Sequence, residues 1–102
     1  MNRDQIIAAL RVYEPEFRAA GVQSLSLFGS VARGESVVDS DIDLAVRVNK
    51  SFSKGGLDYF SRLDDLEGRL SQILGCNVDV VEEPVRKERF QKEIDKDRVL
   101  AF

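Results

Sequence analysis

Residues Leu27–Val48, LFGSVARGESVVDSDIDLAVRV, decide how the rest of the chain is read. An apolar run ends in a Gly29-Ser30 turn, and a second apolar run carries two aspartates, Asp41 and Asp43, two positions apart. On a strand, residues i and i+2 face the same way, so both carboxylates leave one face while Ile42, Leu44, Val46 and Val48 take the other. Carboxylates held side by side repel each other and are costly to leave unpaired, so the pair fits half of a magnesium site. The turn supplies the complement. A glycine lets backbone N–H groups approach a phosphate closely, and the residue after it can open a helix whose N-terminus favours anions. Together these features point to a nucleoside triphosphate held on metal.

Working outward, Gln23–Phe28 reads as the strand that leads into the turn, Gly29–Arg33 as the turn with a single helical turn, and Gly34–Ser40 as a polar loop. Asp41–Val48 alternates without a break and is the clearest strand in the chain. Upstream, Ile6, Leu10, Tyr13 and Phe17 recur at helical spacing before Gly21, giving an amphipathic helix that Pro15 should kink or weaken. Downstream, Asn49–Gly56 is rich in Ser, Lys, Asn and Gly and reads as a mobile loop, with Lys50 and Lys54 on it. Leu57, Phe60, Leu63, Leu66, Leu70 and Ile73 trace a second amphipathic helix ending near Gly75, expected to pack across the sheet.

Asn77–Val81 reads as a third strand, with Val78 and Val80 on one face and Asp79 on the other, which places Asp79 to join the first two acids. After Pro84 a charged segment could dock a final helix through Phe90 and Ile94. Its other face mixes both charges, as solvated surfaces do. Glu82 and Glu83 are expected as exposed charge, Cys76 as a small buried apolar residue, and Tyr13 and Tyr59 as packing residues.

Composition narrows the chemistry. With 102 residues, 43% hydrophobic and 32% charged, the chain fits one soluble domain over residues 1–102, too short to carry a separate substrate domain as well. Any second half of a substrate site is then expected from another chain. The absence of histidine removes imidazole-based acid/base chemistry and His-ligated zinc, and the single cysteine cannot form an internal disulfide. Catalysis would rest on carboxylates, hydroxyls, basic side chains and metal. A net charge of -3 argues against a sequence-independent grip on nucleic acid. No apolar run is long enough to span a membrane and MNRDQIIAAL lacks a signal peptide's core, so a cytoplasmic protein is expected.

The string GSVARGESVVDSDIDL, followed by a lone strand aspartate, resembles the nucleotidyltransferase superfamily of the polymerase-beta type, whose motif is GS, about ten residues, then DxD, with a third acid on a neighbouring strand. The fuller match, including Ala32-Arg33-Gly34 and Ser40-Asp41, resembles its minimal nucleotidyltransferase branch, stand-alone domains of about this length. The resemblance implies an α/β (α+β) fold, a small mixed β-sheet flanked by helices. It implies Mg2+ held by Asp41, Asp43 and Asp79, the triphosphate of ATP cradled by Gly29 and Ser30, and transfer of a nucleoside monophosphate. Asp79 could assist deprotonation of the attacking hydroxyl, and Arg33 is close enough to the turn to touch a phosphate.

Domains of this branch are commonly antitoxins to a HEPN-domain ribonuclease toxin, and the implied reaction is transfer of AMP to a tyrosine hydroxyl of that toxin. Two other readings stand beside it. One is nucleotidyl transfer to a small molecule, as in aminoglycoside nucleotidyltransferases, and the other is a non-catalytic module that silences its partner by occlusion.

Overall fold

A computed structural model describes residues 2–35 and 41–102. Helix α1 (Arg3–Val12) opens on a capping box: the Asn2 side chain accepts from the Gln5 N–H at 2.8 Å, and the Gln5 side chain accepts from the Asn2 N–H at 2.9 Å. Its Ile6, Ile7 and Leu10 are buried. The expected disturbance at Pro15 is a full break, because a second helix, α2 (Glu14–Ala19), restarts after Tyr13 with Pro15 in its first turn, where a missing N–H leaves no intrahelical bond unmade. Phe17 of α2 is buried.

Strand β1 (Val22–Phe28) runs straight into the short helix α3 (Gly29–Ala32). Strand β2 (Ile42–Val48) follows, with Asp41 immediately before it. Of the expected loop over Gly34–Ser40, residues 36–40 lie outside the described residues.

The stretch expected as a mobile loop is instead partly helical. In α4 (Lys50–Ser53) the Asn49 side chain accepts from the Phe52 N–H at 3.0 Å, and Phe52 is buried. A single aromatic anchor and a cap order what the polar composition masked.

Helix α5 (Leu57–Leu74) ends at Gly75 in a left-handed cap. Leu66, Leu70 and Leu74 are buried, and Leu63 and Ile73 pack partly against them. Leu57 and Phe60, expected on the same stripe, are exposed. The first turn is rotated so that Tyr59 faces inward, its ring 6.2 Å from Phe52, and Phe60 is thereby carried outward.

Strand β3 (Val78–Glu82), helix α6 (Glu88–Asp97) and strand β4 (Val99–Leu100) complete the chain. The sheet order is β3-β2-β1-β4, with β2 and β3 parallel across the α5 crossover and the other pairs antiparallel. This is the mixed sheet flanked by helices that the family resemblance implies. Leu25, Leu27, Leu44, Val46 and Val78 face the α1, α2 and α5 side of the core, while Phe28 and Ala45 face Ile94 of α6. β4, two residues long, has no counterpart among the expected strands. No helix among the described residues is long and apolar enough to cross a membrane.

Two expectations about single residues are overturned. Cys76 is exposed, because it sits in the turn between Gly75 and β3 where nothing among the described residues packs over it. Glu83 is buried, its side chain fully enclosed, because Arg98 and Gln91 close around its carboxylate. Arg98 donates through both terminal nitrogens, at 2.8 Å to Oε1 through Nη1, and Gln91 donates at 2.6 Å to Oε2. The hydrogen bond from Arg98 holds this carboxyl below the usual glutamate range against the opposing effect of burial. Glu82 is half-buried and accepts from the Tyr59 hydroxyl.

Candidate active site

The sheet register assembles the site. In the antiparallel β1–β2 pair Phe28 lies opposite Asp43, and in the parallel β2–β3 pair Asp43 lies beside Asp79. Residues directly paired across strands project to the same face, so Asp79, Asp43 and Phe28 form a row over three adjacent strands. Asp41, two residues before Asp43, stands at the start of that row. Asp41 and Asp79 line an open cleft of about 470 Å3 with Asn77 and with Asp64, Glu67 and Ser71 of α5.

Gly29 fits against Asp43 too closely for any side chain. It has φ +77°, and a Cβ placed on it would lie 2.3 Å from an Asp43 carboxylate oxygen and 3.2 Å from its Cγ. The glycine is thus required twice, by its left-handed backbone and by its neighbour. The contact sets the backbone of the Gly29-Ser30 turn directly against the acidic row. Ser30 is half-buried at the start of α3, and its carbonyl accepts from the Glu35 N–H at 2.9 Å.

Electrostatically the row is out of balance. Burial pushes the Asp43 carboxyl above the ordinary aspartate range, and the charges of Asp79 and Asp41 push it further, with Arg33 only partly offsetting them. A carboxylate raised by its neighbours stores repulsion that a cation relieves. The donors are hard carboxylate oxygens, the chemistry that suits Mg2+. Among the described residues no three acidic, histidine or cysteine side chains are gathered tightly enough to cage a metal alone. That is compatible with magnesium, which is commonly bound by one or two carboxylates and completed by substrate phosphates and water.

Arg33 is arranged differently from the expectation of a phosphate contact. Its Nη1 donates to Asp97 of α6 at 2.6 Å and its Nε to Glu35 at 3.1 Å. Both partners are carboxylates, so the guanidinium ties α3 to α6 and reaches Asp43 through its field alone. The sequence held no sign of this, because Asp97 lies 64 residues away. The sequence reading also did not place Phe28 opposite Asp43; its position, last on β1 and directly before the Gly-Ser turn, is the signal that could have placed it there.

Comparison with known proteins places the chain among relatives. A family model described as "Nucleotidyltransferase domain" matches residues 10–101. A Methanocaldococcus jannaschii protein, MJ1379, named provisionally as a protein adenylyltransferase, is 35% identical over 79 residues, or 76% of this chain and 75% of the relative. The protein adenylyltransferase MntA of Thermococcus cleftensis is 30% identical over 82 residues, 79% of this chain and 77% of the relative. A crystal structure described as a toxin-antitoxin with AMP-PNP superposes with a TM-score of 0.65 at 26% identity, covering 100% of this chain and 73% of that one. The family match over nearly the whole chain, with Gly29 seated against Asp43 and Asp79 beside it, identifies the chain as a member of the nucleotidyltransferase domain family.

Proposed function

We propose that the chain, acting as one minimal catalytic domain over residues 1–102, transfers AMP from ATP to a tyrosine hydroxyl of a partner HEPN ribonuclease toxin, and so acts as its antitoxin in the cytoplasm. The observation that carries the reading is the seat of Gly29 against Asp43, which brings a phosphate-sized backbone turn and an over-charged acidic row to one place. The names of MntA and of the toxin-antitoxin bearing AMP-PNP support a nucleotide substrate and a protein partner.

In this account the Gly29 and Ser30 backbone binds the triphosphate, and Asp41 and Asp43 would hold Mg2+ together with the phosphates, with Asp79 beside them. When bound, the metal would neutralise charge on the triphosphate and stabilise the departing pyrophosphate. Asp79 stands on the strand beside Asp43 and takes the proton of the attacking hydroxyl. Arg33 contributes to nucleotide binding through its field on Asp43 and by fixing α3 to α6. The acceptor comes from the partner, since the open cleft bordered by Asp41 and Asp79 leaves the acids accessible from outside.

The test is label transfer from ATP carrying a radioactive α-phosphate to the co-purified partner. The Asp41→Asn, Asp43→Asn double variant abolishes labelling while keeping its fold by circular dichroism. Undiminished labelling would sink the metal assignment.

A further inference from the structure

The acidic row and the glycine turn account for a triphosphate, but they leave the base of the nucleotide without a partner. Continuing the row Asp79–Asp43–Phe28 leads to an aromatic surface. Phe28 stands one strand away from Asp43, about 4.8 Å, and the Phe90 ring of α6 lies 5.9 Å from the Phe28 ring at 66°. Phe28 is buried beneath this pair, whereas Phe90 is 38% exposed. An edge-to-face contact of this kind occupies one side of the upper ring and leaves its other side to a further partner.

The helix that carries Phe90 is fixed along the stretch that follows it. Ile94, one turn on, is fully buried against Phe28 and Ala45, and Asp97 holds Arg33 at 2.6 Å. Gln91, next to Phe90, donates to the enclosed Glu83 carboxylate. A large apolar ring exposed on so well anchored a helix, over the Phe28 that pairs with Asp43, is preorganised to accept a flat ligand at little entropic cost.

Resting on the nucleotide-transfer reading above, we propose that Phe90, seated on Phe28, is the platform on which the nucleotide's base stacks, making it a specificity-determining residue. The phosphates lie toward Gly29 and Asp43, and the base lies over the α6 edge. Stacking is tolerant of base identity because every base has a π-face, so Phe90 favours nucleotides over bare polyphosphate more strongly than one base over another.

The experiment is calorimetric titration with Mg2+ present, using α,β-methylene-ATP, which cannot transfer AMP, and inorganic tripolyphosphate, which has no base. The Phe90→Leu variant weakens α,β-methylene-ATP by about tenfold or more and leaves tripolyphosphate within about twofold, while Phe90→Tyr keeps both affinities. Unchanged affinity in Phe90→Leu, or equal loss for both ligands, would each overturn the proposal and leave the nucleotide-transfer reading intact. If the unmodified protein binds neither ligand, that reading falls and takes the proposal with it.

Discussion

Replacing Gly29 by alanine tests the packing on which the site depends. Its φ of +77° is strained for any L-residue, at about 1–2 kcal/mol. The new Cβ would also meet an Asp43 carboxylate oxygen at 2.3 Å, so the side chain must retreat by about 1 Å to reach ordinary van der Waals separation. Overpacking of that kind costs about 1–3 kcal/mol, giving a total of about 2–5 kcal/mol. Gly34 provides an internal control, since it has the same φ of +77° with nothing among the described residues within 4 Å of its would-be Cβ. Gly34→Ala should therefore report the backbone strain alone. Each 1 kcal/mol lowers Tm by about 4–8 °C in a domain of this size, so the two variants separate clearly in a thermal melt. A 1 Å displacement of a catalytic group also costs about 100-fold in rate, and label transfer should fall by that order in Gly29→Ala and hold in Gly34→Ala. Equal Tm values for the two variants, with activity retained in both, would refute the reasoning.

Other perturbations address other parts of the structure. Asp43→Asn should raise Tm at neutral pH while abolishing activity: the native pKa is raised, so ionised Asp43 destabilises the fold above that pKa, and the variant's advantage should fade as pH falls through it toward 3.8. Glu83→Ala should cost about 3 kcal/mol or more by leaving Arg98 half-enclosed without its main partner, measured by urea denaturation. Because Glu83's native pKa is lowered, the stability it supplies is present above the ordinary glutamate value of 4.5 and is lost as pH falls through the native value. Cys76 should react with a thiol reagent in the folded protein as fast as in urea, and protection in the native state would contradict its exposed position.

The placement of the candidate site residues was legible because its signals are local. Asp41 and Asp43 share a face by period-two alternation, and Gly29 and Ser30 mark the turn between two strands, so no long-range information was needed to bring them together. Asp79 needed only the parallel register across α5. What escaped depends on residues far apart in sequence. Glu83 resembles any acid before a proline until Arg98 closes over it, and β4 exists only because Leu100 meets Ser26 and Val99 meets Leu27. The pairing of Arg33 with Asp97 could not be read, because Asp97 lies on another helix. On α5, helical spacing alone could not show that Tyr59 turns inward and Phe60 outward. Asn49 and Phe52 were readable in principle as a cap and an anchor, but the polar composition around them concealed a single turn of helix.

The central claim is that these acids transfer AMP to a protein, and the intact mass of the proposed toxin partner tests it most directly. Co-expressed with the unmodified chain and supplied with ATP and Mg2+, the partner should gain one or more AMP units, and the gain should vanish with Asp41→Asn, Asp43→Asn. A stable complex whose partner gains no mass would contradict the account and leave silencing by occlusion in its place.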